Sequence, residues 1–156
     1  MAYTPAPSKS PFGFPQVHSD ITTSRITNGG EVFNIKVAIS AENADADILY
    51  TVPANLTLLV LPFVLWEVAT AWTGGSSSAI GLSSSATGFT TKGDVHGGAS
   101  GDVLATLTAG LKRGTAGAKI ATPGVVLPAG STIRFDRITS AFTAGAGNVI
   151  IPVMTL

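Results

Sequence analysis

The sequence predicts an all-β chain folded as an antiparallel β-sandwich, jelly-roll-like in outline. Three observations carry this expectation. Apolar residues alternate with a period of two in several short runs, the mark of strands with one covered face. Clusters of Gly, Pro, Asn and Ser separate those runs, and the 156 residues include 18 Gly and 9 Pro. A single segment carries helical spacing. The count is therefore seven to nine short strands with at most one short helix, which is the pattern of a sandwich or jelly roll. No repeat recurs at a fixed period of about 20–50 residues, so a solenoid or propeller is not expected.

Residues 1–20 stand apart as an extended arm. Pro5, Pro7, Pro11 and Pro15 recur every few residues, with Tyr3, Phe12 and Phe14 between them. Each proline fixes φ and removes a backbone donor, which excludes a helix or a central strand and favours a polyproline-like segment. Its aromatics have little to bury against locally, so the segment reads either as a disordered leader or as a docking arm that orders on a partner surface, with these seven residues as the candidate partner-binding positions. Residues 21–156 are expected to form one sandwich domain.

Asn28-Gly29-Gly30 is a tight-turn sequence, because Asn and Gly accept positive φ cheaply. Phe33, Ile35, Val37 and Ile39 then alternate with Asn34, Lys36 and Ala38, a half-buried strand. Ile48, Tyr50 and Val52 repeat the pattern and stop at Pro53-Ala54-Asn55. From Leu56 to Trp72 both parities are at first apolar, which predicts a strand covered on both faces and interrupted or bulged at Pro62. Residues 73–101 are rich in Gly, Ser and Thr around Ala79-Ile80-Gly81-Leu82, and read as short strands joined by long loops. Between Asp102 and Lys112, Val103, Leu104, Leu107 and Leu111 share a helical face, Asp102 could cap it and Gly114 could end it. Thr106 and Thr108 weaken the helix and leave a strand as a near-equal alternative. Val125–Leu127, Thr132–Asp136 and Val149–Met154 are the closing strands, with turns expected at Pro128-Ala129-Gly130 and Ala144-Gly145-Ala146-Gly147.

Charge narrows the function. Lys plus Arg number 9 and Asp plus Glu number 9, so neither a duplex-binding footprint nor a polybasic membrane patch is expected, and no nucleic acid or membrane partner. The charged fraction is 12%, about half the usual ~25%, while 45% of residues are hydrophobic. Such a chain is not disordered. Its low charge points to life inside an assembly. With no cysteine, disulfides, thiolate metal sites and a Cys nucleophile are excluded. Met1 to Lys9 lacks the charged and apolar regions of a secretory leader. The apolar run Leu56–Trp66 falls short of the roughly 20 residues of a membrane span.

Reactive groups are few. His18 lies in the arm, and His96 lies in a loop with Asp94, Ser100 and Asp102. Gly98-Ala99-Ser100-Gly101-Asp102 lacks the final glycine of a nucleophile elbow, and triad members come from separate elements rather than one loop. A solvated loop is the expectation there. Glu42, Asp45 and Asp47 lack calcium-loop spacing, and Asn43, Asp45 and Asp47 more simply make a polar turn. Alternation places Glu67 opposite Trp66 and Val68, at an exposed rim. Arg134 and Arg137 flank Asp136, which suits a local ion pair or a contact between subunits. No phosphate loop, dinucleotide fingerprint or RNA-stacking pattern appears. The expectation is a non-enzymatic protein without cofactor, metal or catalytic residues.

Ile48–Asn55 leads into a long apolar strand, followed by Ser78–Leu82, Ala86–Phe89, Leu127–Arg134 and a final strand Asn148–Met154. This order resembles small β-sandwich virion proteins of tailed bacteriophages, a group that includes capsid decoration (cement) proteins and related head or tail fibre modules. The resemblance covers residues 45–156 and leaves the proline-rich arm outside. It implies a jelly-roll-like module, commonly a homotrimer, that is made in the bacterial host cytoplasm and clamps the major capsid (coat) protein from the outer capsid surface. It carries no catalytic residues over. A tail, fibre-base or head–tail connector module is the first rival. The second is a receptor- or carbohydrate-binding sandwich with Trp66, Trp72 or Tyr50 as a stacking platform, although both tryptophans sit in the apolar run and are expected in a core or interface.

Overall fold

The computed structural model describes residues 30–74, 79–88, 91–97, 109–114, 116–117, 125–138 and 141–156. The described residues form nine strands and no helix, as the alternation predicts: β1 (Val32–Ser40), β2 (Asp47–Thr51), β3 (Leu58–Val60), β4 (Leu65–Thr73), β5 (Ala79–Ser84), β6 (Gly110–Arg113), β7 (Val125–Leu127), β8 (Thr132–Ile138) and β9 (Ala144–Thr155). They make two antiparallel sheets, one of six strands and one of three in the order β2-β8-β5. Ile35, Trp66 and Ile151 of the large sheet and Ile80, Leu82, Ile133 and Phe135 of the small one belong to a single buried cluster. The molecule is a β-sandwich.

The large sheet is organised on β9. Along one edge β9 pairs with β1 over its whole length, from Val32↔Met154 to Ser40↔Ala146. Along its other edge it pairs with β4 over Ala144–Ile150 and with β3 over Val153–Thr155. Thus β3 and β4 lie end to end against one strand, and β7 and β6 pair outside them. The interruption expected at Pro62 is the gap between β3 and β4.

Pro152 sits opposite that gap. A residue's N–H and C=O point to the same side of a strand, and the Pro152 carbonyl accepts a hydrogen bond from Leu61 N–H at 2.9 Å. The missing N–H of Pro152 therefore faces the place where β3 has ended and β4 has not begun, so a proline costs no ladder bond in a central strand.

Three expectations are corrected. Residues 144–147 are not a turn but the start of β9. Their small size serves close approach: a Cβ on Gly145, whose φ is 143°, would run into the Trp72 ring, and one on Gly147 would run into the Glu67 carbonyl. Two register shifts here each place one extra residue on β4, bulges that bend it over the small residues. Ile48 does not share a face with Tyr50. One extra residue on β2 between Ile48↔Arg134 and Tyr50↔Ile133 reverses the parity, leaving Ile48 63% exposed. Finally, residues 110–112 of the helical candidate belong to strand β6, paired with β4; residues 102–108 lie outside the described residues. Leu111 points outward at 60% exposed, because a strand paired at a sheet edge turns alternate residues out.

The arm of residues 1–20 and its seven candidate residues also lie outside the described residues. Replacing Gly147 with Ala forces β9 away from β4. Overpacking of this kind costs about 1–3 kcal/mol, and urea denaturation of G147A against the parent should show a loss of that order with an unchanged slope.

Candidate functional site

Most chemistry-bearing residues of the described chain converge on the outer side of the small sheet, where residues 91–97 fold over β5. Leu82 of β5 donates to the His96 carbonyl (2.9 Å), and the Leu82 carbonyl accepts from Val95 N–H (2.9 Å) and His96 N–H (3.2 Å). These bonds continue the sheet past its β5 edge, and His96 bridges onward to Ala116. The segment also crosses over Gly81, where a Cβ would stand 2.9 Å from the His96 carbonyl oxygen and 3.0 Å from Gly93 Cα. Gly81 is thus required by the strap above it.

Asp136 ties this strap down. On β8 it follows the core residue Phe135 and so faces outward, yet it is buried because the strap covers it. Its carboxylate accepts from Ser83 Oγ at 2.7 Å and from Gly93 N–H at 2.9 Å. Within the strap, Asp94 Oδ2 accepts from Thr91 N–H (2.9 Å), a local turn closed by its own side chain. Lys92 donates to the Arg137 carbonyl (2.7 Å) and pairs with Asp45 Oδ2 at 2.6 Å. The other Asp45 oxygen accepts from Arg137 N–H at 2.9 Å.

The solvated loop expected around His96 is therefore corrected: Gly93 to Gly97 are buried, since the strap exchanges water for hydrogen bonds to β5. Ser100 and Asp102 lie outside the described residues. Nor does Asp136 pair with its flanking arginines. Neighbours on a strand point to opposite faces, and the Arg134 guanidinium instead donates to the Ser84 carbonyl at 2.7 Å. No signal in the sequence marked Ser83 as the partner of Asp136, because their contact depends on the β5–β8 register.

The remaining candidates keep the roles that the spacing gave them. Asn43, Asp45 and Asp47 form the polar turn between β1 and β2. Ser40 N–H donates to Asn43 Oδ1 (2.7 Å), and Asp47 Oδ2 accepts from Asn43 Nδ2 (3.1 Å) and Ala44 N–H (2.8 Å). Those bonds hold Ala46 at a φ of 67°, uncommon for a residue with a side chain. Glu67 lies on the outer rim, paired with Lys36 Nζ at 2.7 Å and accepting from Asn148 Nδ2 at 2.8 Å. Among the described residues no group of three His, Asp or Glu gathers as a metal site would.

Trp66 and Trp72 are each 1% exposed, and Trp72 meets Phe142 edge to face with ring centroids 4.8 Å apart. Removing such a core ring costs about 3–5 kcal/mol, so both hold the sandwich together and neither offers a face to a sugar. Asp136, Asp45, Lys92, Lys36 and Glu67 act as ties between strands and loops. Val32, Ile48, Leu111, Val126 and Leu156 are also substantially exposed.

No protein-family model matches the chain, and no curated protein sequence matches it. Among solved structures it is similar to a chain in the capsid asymmetric unit of cyanophage Pam1, at 13% identity and a TM-score of 0.45, over 96% of this chain and 99% of that one. It is also similar to a chain in the capsid of Ralstonia phage GP4, at 16% identity and a TM-score of 0.44, over 83% of this chain and 85% of that one.

Burial pushes the Asp136 carboxyl above the ordinary carboxylate range, against the opposing pull of Gly93 N–H and Ser83. Burial also works against the Asp45 carboxylate, but Lys92 and Arg137 N–H outweigh it and hold that carboxyl below its usual value. The two have opposite consequences. Between the ordinary and the raised value, folded Asp136 binds a proton that the unfolded chain does not, so its contribution to stability falls as pH rises through that window. Asp136→Asn removes this titration and keeps an oxygen for Gly93 N–H and an amide for Ser83 Oγ. The melting temperature of the parent relative to D136N should rise as pH falls from neutral into the acidic range.

Proposed function

We propose that this chain is a non-enzymatic structural protein of a tailed-phage virion, a capsid decoration (cement) protein. On this reading it sits on the outer capsid surface and stabilises the coat lattice. The carrying observation is how the ionisable groups of the sandwich are used. Asp136, Asp45–Lys92 and Lys36–Glu67 tie strap, turn and rim to the sheets, while Val32, Ile48, Leu111, Val126 and Leu156 stand exposed on the outside. A surface of that kind suits adhesion, since permanent interfaces are more apolar than transient ones and tolerate low charge. On a lattice, many copies multiply weak contacts through avidity. The strand-and-turn order Ile48–Asn55 and Leu127–Arg134 supports the phage assignment by its resemblance to virion sandwiches.

Two finer parts belong to the same proposal. Tyr3, Pro5, Pro7, Pro11, Phe12, Phe14 and Pro15 of the arm contact an adjacent coat subunit, and the sandwich associates as a homotrimer. The arm ahead of an otherwise self-sufficient core is what supports the first. A charge-poor surface that gains by being covered supports the second.

Stoichiometry decides between capsid and tail. In purified particles the chain should occur in numbers comparable to those of the major coat protein; a handful of copies would place it in the tail. Deleting residues 2–16 should leave the sandwich folded, with a cooperative melting transition, while abolishing its binding to undecorated capsids. Full occupancy by the deletion variant would remove the arm from the interface.

A further inference from the structure

The outer face of the large sheet carries a continuous apolar row that crosses four strands. The register sets Val126 of β7 beside Leu59 of β3, Leu59 beside Met154 of β9, and Met154 beside Val32 of β1. The chain neighbours of Val126, Leu59 and Met154, namely Val125, Leu127, Leu58, Val60, Val153 and Thr155, are buried, so alternation turns these three outward beside the exposed Val32. Val126 and Val32 are each 46% exposed, and Leu156, two residues beyond Met154, is 57% exposed.

The described chain begins at this same end of the sheet. Gly30 N–H donates to the Thr155 carbonyl (2.7 Å), Glu31 N–H to Thr155 Oγ1 (3.1 Å), and Thr155 N–H to the Glu31 carbonyl (2.9 Å). Twenty-nine residues precede Gly30, so they depart beside the row. A sheet face offers side chains only, because its backbone groups are spent in the ladders. It therefore suits an occupant that needs no backbone partner, and a proline-rich segment is such an occupant. Length agrees as well. Four strands span about 14 Å at roughly 4.8 Å per step, and the five residues Pro11-Phe12-Gly13-Phe14-Pro15 span about 15 Å at roughly 3.1 Å each. Residues 16–29 form a tether that reaches about 40 Å when extended, ample to lay that segment across the row. A short tether also gives the chain's own segment an effective concentration in the millimolar range.

We infer that in the free protein residues Pro11–Pro15 lie across the Val32–Met154–Leu59–Val126 row of their own chain. The inference concerns the protein before it meets any particle, and it does not depend on the capsid role. If that role is also correct, the segment leaves this face when it engages a coat subunit.

The cysteine-free chain gives a clean test. In the full-length protein, Phe14→Cys with Val126→Cys should close an intrachain disulfide under mild oxidation. It should do so many-fold faster than Phe14→Cys with Thr51→Cys, which lies exposed on the small sheet. Equal rates in the two pairs would overturn the inference. So would an interchain product, which would assign the segment to a second copy's face. Met154 supplies a second reading without new cysteines, since Met1 is the only other methionine. Deleting residues 2–16 should speed peroxide oxidation of Met154 several-fold, read by mass spectrometry. An unchanged rate would show the row uncovered in the parent. Neither readout involves capsids, so each can fail or succeed apart from the decoration role.

Discussion

One constraint organises the molecule: a single strand, β9, must serve as the common partner of β1, β3 and β4. Twelve residues are long enough to run the height of the large sheet, but no other strand on the far edge is. Two shorter ones are therefore set end to end against it. Each unusual residue in β9 answers that arrangement. Gly145 and Gly147 admit the Trp72 ring and the Glu67 carbonyl where bulged β4 crosses. Pro152 occupies the step where no partner strand is present. Val149, Ile151 and Val153 between and beside them are fully buried, so one strand supplies the centre of both the ladder and the core.

The small sheet follows a different rule. Its β5 edge would present unpaired backbone groups to any passing strand, and the strap of residues 91–97 covers it. Covering that edge also encloses Asp136, and a carboxylate without water must be fully hydrogen-bonded. Ser83 and Gly93 N–H supply those bonds. A group with the burial expected of a catalytic acid is here engaged as a fastener between the strap and the small sheet.

Much of this architecture was legible in the residues. The alternation of Phe33 to Ile39 gave β1 its buried face, Pro62 marked the break between β3 and β4, and the parity of Glu67 against Trp66 and Val68 placed its carboxylate on the rim. Where reading failed, the cause was tertiary. Glycines at 145 and 147 look like a turn locally, because only the approach of β4 shows that they mark close backbone contact. The bulge that turns Ile48 outward depends on pairing with β8, and no local residue announces it. The burial of His96 follows from a strap crossing an edge some dozen residues earlier in sequence. Of the outward apolar row, each member looks unremarkable alone; the register assembles it.

The ladder that joins Val32 to Met154 also sets a timetable for biosynthesis. The strand on which the large sheet depends is made after β1, β3 and β4, and its longest ladder is with the earliest of them. Until β9 is made, those three strands have no common neighbour, and their edges stay open to other chains. Pairings this distant in sequence close slowly. The large sheet therefore closes by long-range pairing around one strand rather than hairpin by hairpin, and a change that weakens β9 loosens all three of its partners at once.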